Sequence, residues 1–148
     1  MIPDFDSDGN LPPGVHWATW QEFTERFGTS PHRRKLLTGL KMALDALKVA
    51  GCQAVYVDGS FVTAKNVPND FDACWSTEGV DFDLLYHIDP ILLTFSSGRA
   101  AQKAKYMGEL FLGDTIETDT GRTILEFFQI DKETLNRKGI VALDLRRI

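Results

Sequence analysis

Two aspartates, Asp70 and Asp72, are separated by a single aromatic residue in the segment "NDFDACW". In a β-strand, residues two apart project from the same face, and a rise of about 3.3 Å per residue puts their Cα atoms roughly 6 to 7 Å apart. Mg²⁺ in proteins commonly binds one or two carboxylates, with substrate phosphate oxygens and water as its other ligands. The spacing therefore predicts an exposed site for a divalent cation at this pair.

Gly59 and Ser60 precede the pair, with nine residues between Ser60 and Asp70. A glycine at the end of a strand lets the backbone approach a phosphate closely. A serine that begins a short helix offers a hydroxyl and free backbone N–H groups to an anion. Together, the Gly-Ser pair and the two aspartates predict a site for a phosphate-bearing substrate beside a metal ion.

A competing interpretation of Asp70 and Asp72 is a pair of solvated acids on an edge strand, or an Asn-Asp turn that runs into a strand. We favour the metal site because that alternative gives the upstream Gly-Ser no role. A second Asp-x-Asp pattern, at Asp81 and Asp83, lacks both a preceding strand and a nearby Gly-Ser. It predicts an acid pair in a loop or at a helix start, where the helix dipole favours negative charge.

Two neighbouring strands are predicted to position these residues. Residues 53–58 have the pattern of a buried strand, and residues 70–76 have that of its neighbour. In the second strand, the period of two places Phe71, Ala73 and Trp75 on the face opposite to the aspartates. That apolar face can join the core while the acids face outward.

The rest of the chain predicts helices and short strands around this pair. A capping-box pattern at Thr19 begins a short helix that ends near Gly28, and Ser30 caps a helix of about twenty residues that ends at Gly51. Residues 1–18 carry several prolines and glycines and predict an extended N-terminal arm without regular structure. The remaining predicted elements are a loop followed by a helical turn over 81–95, a helix over 99–107, a strand over 109–112, a helix or strand over 123–128 and a strand over 139–145.

The spacing of hydrophobic-Gly-Ser and Asp-x-Asp resembles the motif of the DNA polymerase beta-like nucleotidyltransferase superfamily, particularly its minimal bacterial nucleotidyltransferases. The whole chain, from "IPDFD" and "LPPGVHW" to "EFFQIDK" and "KGIVALDL", is similar to an uncharacterised bacterial family of small nucleotidyltransferase-like proteins. The resemblance implies an α+β fold with a nucleotidyltransferase-like core, in which helices pack mainly on one face of a small mixed β-sheet. We expect residues 1–148 to form a single domain of this kind.

The resemblance also implies roles for individual acids. Asp70 and Asp72 would be the Mg²⁺ ligands, and a third carboxylate from a later strand would complete the metal site and help to activate the attacking hydroxyl. Glu109 is the first choice for this third acid because it follows a predicted helix and opens the next predicted strand. Asp144, in "ALDL", is the alternative.

Binding of the triphosphate is assigned in the same way to Gly59 and Ser60. The Gly-Ser-x-Ala-Arg-Gly continuation that is frequent in the superfamily is absent, and Lys65 stands among the residues in its place. Arg99 and Lys103 are four residues apart and share a face of the predicted helix. These cations could bind the β- and γ-phosphates, and for the Arg99 and Lys103 pair a solvated basic stripe is the equal alternative.

The implied activity is Mg²⁺-dependent transfer of a nucleoside monophosphate from a nucleoside triphosphate to a hydroxyl on an unknown acceptor, which could be a protein, an RNA or a small molecule. The alternative is a catalytically degenerate binding module with the same fold that acts through a partner protein. Minimal nucleotidyltransferases are similar to one half of some toxin-antitoxin systems, so a toxin-antitoxin component is one form of this alternative.

Composition limits the possible partners. The 148 residues carry a formal net charge of −5, which argues against broad nucleic-acid binding, although a local basic face could hold a phosphate-bearing ligand. No apolar run is long enough to span a membrane and the N-terminus lacks a signal-peptide pattern, so we expect a cytoplasmic protein without a membrane partner. Cys52 and Cys74 are expected to be reduced and buried.

Overall fold

The computed structural model describes residues 1–148 and contains one five-stranded sheet. The strands lie in the order β1-β5-β2-β3-β4. The outer pairs, β1 with β5 and β3 with β4, are parallel, whereas β2 is antiparallel to both of its neighbours. The strands are β1 (Gly14–Ala18), β2 (Ala54–Asp58), β3 (Phe71–Trp75), β4 (Gly108–Leu112) and β5 (Gly139–Asp144). With its helices, this mixed sheet confirms the predicted α+β class.

Five helices connect and cover the strands: α1 (Trp20–Phe27), α2 (Pro31–Val49), α3 (Phe82–Ile88), α4 (Ser96–Tyr106) and α5 (Ile124–Phe127). Short 3-10 turns add Ser60–Val62, Pro90–Leu93 and Leu145–Arg147. None of the helices is both long and apolar enough to cross a membrane.

The helix caps predicted from the sequence are confirmed. The Thr19 hydroxyl accepts a hydrogen bond from the backbone N–H of Glu22, whose side chain reciprocates, and this capping box begins α1. The Ser30 side chain caps α2 by accepting from the N–H of Arg33. Gly51 follows the end of α2 with φ +97°, a left-handed conformation that glycine adopts without the steric cost of a Cβ.

The sheet buries both faces, but unequally. Val55, Val57 and the predicted apolar face of β3 join a large core with residues of α1, α2, α3 and α4. On the opposite face, a small cluster combines Cys74 of β3 with Ile140 of β5 and residues of α5. The four longer helices thus contribute to the core of one face, while the short α5 packs on the other. Both cysteines are buried and free, as expected.

The prediction of an irregular N-terminal arm over residues 1–18 was wrong for its last part. Residues 14–18 form β1, which pairs in parallel with β5 at the edge of the sheet. Proline cannot donate to a sheet ladder, and Pro12 and Pro13 lie just before the strand rather than within it. The pairing partner is more than a hundred residues away, so local composition did not reveal the strand.

The predicted loop and helical turn over 81–95 is in fact a helix followed by a 3-10 turn. The Asp81 side chain accepts a hydrogen bond from the N–H of Leu84 and so caps α3, which confirms a helix start at the second Asp-x-Asp pattern. Pro90 does not interrupt α3, because it stands at the first position of the following 3-10 turn. The ambiguous segment 123–128 is helical, with Thr123 as the cap of α5.

We predict that Gly39→Ala will destabilise the protein although alanine is the better helix former. An ideal Cβ at Gly39 in α2 would lie only 1.9 Å from the carbonyl oxygen of Tyr106 in α4, so the two helices would have to separate. We expect the free energy of unfolding in urea to fall by about 1 to 3 kcal/mol, as for other overpacked sites. Thr38→Ala, at the exposed neighbouring position, is the control and should have little effect. Equal stability of Gly39→Ala and the wild type would contradict the close packing.

Candidate functional site

Three carboxylates form a row across neighbouring strands at one end of the sheet. Asp72 in β3 pairs in register with Asp58 at the end of β2 and with Glu109 near the start of β4. Residues paired across strands project from the same face of a sheet, with Cβ atoms about 4.5 to 5.5 Å apart. The structure thus places Asp72 between two other acids. Asp58 was not identified from the sequence, although its place beside Gly59 at the end of the predicted strand was a signal.

Asp70 lies beside this row but outside the strand. The strand predicted over 70–76 begins at Phe71, so Asp70 is the last residue of the preceding loop and is partly buried. Burial, followed by the charge of Glu109, raises the pKa of Asp70, and the ammonium groups of Lys103 and Lys65 act against this rise. Asp70 therefore belongs electrostatically to the same site as Asp72 and Glu109.

Gly59 allows a loop to pass close to the central carboxylate. Its φ is +79°, and an ideal Cβ at this position would lie 2.5 Å from Oδ2 of Asp72. Any side chain here would be strained by the backbone conformation and would collide with the carboxylate. Ser60 follows as the first residue of a 3-10 turn. The close approach observed is to Asp72, and binding of a phosphate at Gly59 and Ser60 stays a prediction.

A polar cleft of about 530 Å³ opens beside the row of acids, and no hydrophobic residue lines it. Asp58, Gly59, Ser60 and Asp72 form one part of its lining, and the segment 131–138 forms another. That segment contributes Lys132 and Lys138, which the sequence analysis missed. The only signal was the position of Lys138 immediately before a predicted strand.

The two outer acids of the row form ion pairs and the central one does not, although burial outweighs the ion pair at Asp58 and raises the pKa of that carboxyl. The ammonium group of Lys138 lies 3.2 Å from Oδ1 of Asp58, and that of Lys103 lies 2.8 Å from Oε1 of Glu109. Asp72 forms no ion pair. Burial raises its pKa to about 7, and the charges of Asp70, Glu109 and Asp58 add to the rise, which Lys132 opposes.

Binding of Mg²⁺ at Asp70 and Asp72 stays a prediction. No group of three or more His, Cys, Asp or Glu side chains is arranged to hold a metal ion, and Glu109 is already paired with Lys103. Asp70 and Asp72 offer the carboxylate oxygens that Mg²⁺ prefers, and phosphate oxygens and water would complete its coordination. Ionising two acids with raised pKa values costs free energy, and a bound divalent cation would offset that cost.

Arg99 and Lys103 do not share a helix face. Residues Ser97, Gly98 and Arg99 have left-handed φ and ψ angles, so the regular part of α4 begins after Arg99. The Arg99 guanidinium lies 3.7 Å from the centre of the Phe111 ring in β4. Lys103 remains beside Glu109. The predicted helix over 99–107 is therefore correct from residue 100 to 106, and the predicted basic stripe is not formed.

Asp144, the alternative third acid, lies at the other end of the sheet. It pairs in register with Ala54, four residues along β2 from Asp58, which is about 13 Å at the usual rise of a strand. Its carboxylate is held by Arg146, with Nε of that residue 3.0 Å from Oδ1. The structure brings Glu109 to Asp72 and keeps Asp144 apart, because β4 and β5 place these acids at opposite ends.

Comparison with known proteins gives a family but no activity. A profile of DUF6932, a family of unknown function, matches residues 3–144, nearly the whole chain. The chain belongs to DUF6932. No match was found among curated proteins or among solved structures.

We predict that Asp72→Asn will stabilise the protein at alkaline pH. Because the pKa of Asp72 is raised from 3.8 to about 7, the folded state holds a proton that the unfolded state releases between roughly pH 4 and 7. This group's contribution to stability is therefore present at low pH and is lost as pH rises through that interval. Asparagine does not ionise, so the variant avoids this loss of stability. We expect its free energy of unfolding at about pH 8 to exceed that of the wild type by on the order of 1 to 3 kcal/mol.

Urea unfolding at several pH values between about 5 and 8 measures this effect. The variant should show a flatter dependence of the free energy of unfolding on pH than the wild type. Asp83→Asn removes a carboxylate at an exposed position outside the site and is the matched control. An Asp72→Asn variant that is less stable than the wild type near pH 8, with an unchanged pH dependence, would contradict the electrostatic account.

Proposed function

We propose that this DUF6932 chain is a Mg²⁺-dependent nucleotidyltransferase that moves a nucleoside monophosphate from a nucleoside triphosphate to a hydroxyl acceptor. The observation that carries the proposal is the placement of Asp72 in register with Glu109, with Gly59 against its carboxylate and a wholly polar cleft beside it. The resemblance of the Gly-Ser and Asp-x-Asp spacing to the DNA polymerase beta-like superfamily supports the same activity.

Different residues of the site would bind the metal ion and the phosphates. Asp70 and Asp72 would hold Mg²⁺, which when bound supplies positive charge to the α-phosphate and to the leaving pyrophosphate. Gly59 and Ser60 would face the triphosphate in the polar cleft, where Lys138 offers a cation. The ammonium group of Lys138 already lies 3.2 Å from Oδ1 of Asp58. A bound triphosphate would therefore have to share this cation with the Asp58 carboxylate.

The transfer itself exchanges one bond for another. The acceptor oxygen forms a bond to the α-phosphorus while the bond from that phosphorus to the bridging oxygen breaks, and pyrophosphate leaves. Glu109 would accept the proton of the attacking hydroxyl, which requires its carboxylate to turn from Lys103 toward the acceptor. A cytoplasmic location, where nucleoside triphosphates and Mg²⁺ are available, belongs to this proposal.

One observation favours a second candidate, the catalytically degenerate binding module. Glu109 is engaged by Lys103, and the acids do not form a three-ligand metal group. Under this alternative the site has lost turnover and the protein acts through a partner protein, for instance as a toxin-antitoxin component. The two candidates differ in whether nucleotide is consumed.

We expect Asp70→Asn and Asp72→Asn each to abolish nucleotide transfer while the protein stays folded. The assay follows release of labelled pyrophosphate from each of the common nucleoside triphosphates with Mg²⁺, in the presence of cell extract as the source of acceptor. Asp83→Asn is the matched control, since it alters the second Asp-x-Asp pattern, which has no Gly-Ser before it. Equal turnover in wild type, Asp70→Asn and Asp72→Asn would refute the assignment.

The same assay decides the third acid. Glu109→Gln should lower the rate by about a hundredfold or more, the usual size of a general-base contribution, whereas Asp144→Asn should leave it unchanged. The opposite pattern would contradict the role given to Glu109.

Thermal unfolding with nucleotides separates the two candidates. A ligand present at a hundred times its dissociation constant stabilises the folded state by about 2.7 kcal/mol. We expect at least one nucleoside triphosphate to raise the unfolding temperature when Mg²⁺ is present, and Asp72→Asn to lose most of the metal-dependent part. No shift with any nucleotide would contradict the transferase and leave the partner-binding module.

A further inference from the structure

A buried arginine of α2 binds the loop that carries the Gly-Ser pair. Arg33 is only 4% exposed, yet it takes part in none of the ion pairs of the molecule. Its guanidinium instead donates to the carbonyl oxygens of Phe61, at 2.7 Å, of Thr63, at 3.2 Å, and of Lys65. All three carbonyls belong to the segment 59–65, which we call the Gly-Ser loop.

A buried guanidinium without a carboxylate partner is an unusual feature of a folded chain. Removing its hydration costs free energy, and this burial lowers the pKa of Arg33. Hydrogen bonds from a charged donor are stronger than those between neutral groups, so the carbonyl oxygens offset part of the cost. Even a paired buried charge can often be replaced by apolar side chains of similar volume without loss of stability. The stability of the fold alone therefore does not account for an arginine at this position.

The planar fork of Arg33 fixes the path of the loop. Nη1 donates to the carbonyl oxygens of Phe61 and, at the end of α1, of Phe27, which lies 3.3 Å away. Nη2 donates to the carbonyl oxygens of Thr63 and Lys65. One rigid group thus joins the end of α1 to alternate residues of the Gly-Ser loop. The loop itself contains no arginine, so the guanidinium is supplied from α2.

Beyond its first turn, the Gly-Ser loop is held mainly by polar contacts. Phe61 and Val62 anchor the first turn in the core, whereas Ala64 and Lys65 are exposed. The backbone N–H of Ala64 donates to the carbonyl oxygen of Gly9 at 2.9 Å. Removing the guanidinium would leave this bond and the buried first turn in place. We therefore expect the loop to loosen while the protein stays folded.

The position of the loop sets the geometry of the candidate site. An ideal Cβ at Gly59 would lie 2.5 Å from Oδ2 of Asp72, so the backbone already passes as close to this carboxylate as sterics allow. Ser60 follows, and it lines the polar cleft together with Asp72. A misplacement of about 1 Å at a reacting centre can lower a rate a hundredfold. A contact that fixes the carbonyls just after Ser60 therefore bears on the site itself.

We propose that Arg33 is a positioning residue of the candidate site, which fixes the Gly-Ser loop and thereby sets where a bound triphosphate lies relative to Asp72. The inference rests on the proposed function for its catalytic meaning, whereas the hold of Arg33 on the loop does not. Arg33 does not contact the substrate in this role, because both of its terminal nitrogens donate to backbone carbonyls.

Amide hydrogen exchange tests the hold on the loop. Arg33→Met keeps an apolar stem and removes the guanidinium. In this variant the hydrogen-bonded amides of Val62, Thr63 and Ala64 should exchange at least about tenfold faster, relative to those of β5, than in the wild type. Arg34→Met changes the neighbouring, exposed arginine and is the matched control, which should leave both sets of rates unchanged. Equal acceleration in the loop and in β5, or no acceleration in the loop, would overturn the proposal.

A second variant, Arg33→Lys, keeps the test decisive if Arg33→Met does not fold. Lysine retains the positive charge but is a single point charge without a fork, so it cannot bridge the carbonyls of Phe61 and Lys65 at once. We expect the same acceleration confined to the loop. Exchange at the wild-type rate in Arg33→Lys would show that charge alone suffices, which would overturn the proposal.

The kinetics of nucleotide consumption test the link to the site. In the pyrophosphate assay, Arg33→Met should lower kcat/KM by about tenfold to a hundredfold, and the KM for the nucleoside triphosphate should rise, because the loop is no longer ordered before binding. A merely structural role would lower kcat in proportion to the folded fraction and leave KM unchanged. Unchanged kcat and KM in a variant whose loop exchanges faster would overturn the positioning role.

The two measurements separate this inference from the proposed function. Absence of turnover in the wild type would remove the proposed function and with it the catalytic meaning of Arg33, while faster exchange confined to the loop would still establish the hold of Arg33 on it. Turnover in the wild type, with unchanged loop exchange in both Arg33 variants, would remove only this inference.

Discussion

Repulsion among carboxylates in neighbouring strands is the constraint around which this end of the molecule is arranged. The register of β2, β3 and β4 places Asp58, Asp72 and Glu109 side by side. Lys138 pairs with one outer acid and Lys103 with the other, but burial still raises the pKa of Asp58, so the unfavourable free energy of the row falls on Asp58 and on the unpaired Asp72. A fold that balanced only its own charges would place a cation beside Asp72 as well. The metal ion proposed for this site would supply the missing positive charge.

The hydrophobic core makes such a row possible because it fixes the strands from the other side. The residues that alternate with the acids in β2 and β3, such as Val57, Phe71 and Ala73, are fully buried in the large core. Sliding either strand by one residue would expose this face and bury the acids, and the free energy gained by burying several apolar side chains would be lost. The register, and with it the separation of the carboxylates, is therefore held by packing rather than by the polar groups themselves.

The surroundings of the row are asymmetric. On one side lies the polar cleft with Lys132 and Lys138, and on the other a smaller hollow that Lys35 and Lys103 help to line. Asp72 lines the first and Asp70 lines the second. Under the proposed transferase activity, such an arrangement would let two reactants reach the acids without competing for the same surface. The same geometry would serve a module that binds a nucleotide and a partner separately.

The sequence by itself determined the features that depend on near neighbours. The caps at Thr19, Ser30 and Asp81, the alternation in β3 and the spacing of the two aspartates are set by contacts within a few residues, so residue types and periodicity predict them. Only the tertiary structure decided which distant residues join the site. The parallel pairing of β4 with β3 brings Glu109 to Asp72, while the direction of β5 carries Asp144 to the opposite end and Lys138 to Asp58. Strand order and direction depend on packing between segments far apart in the chain, and local sequence patterns do not record them.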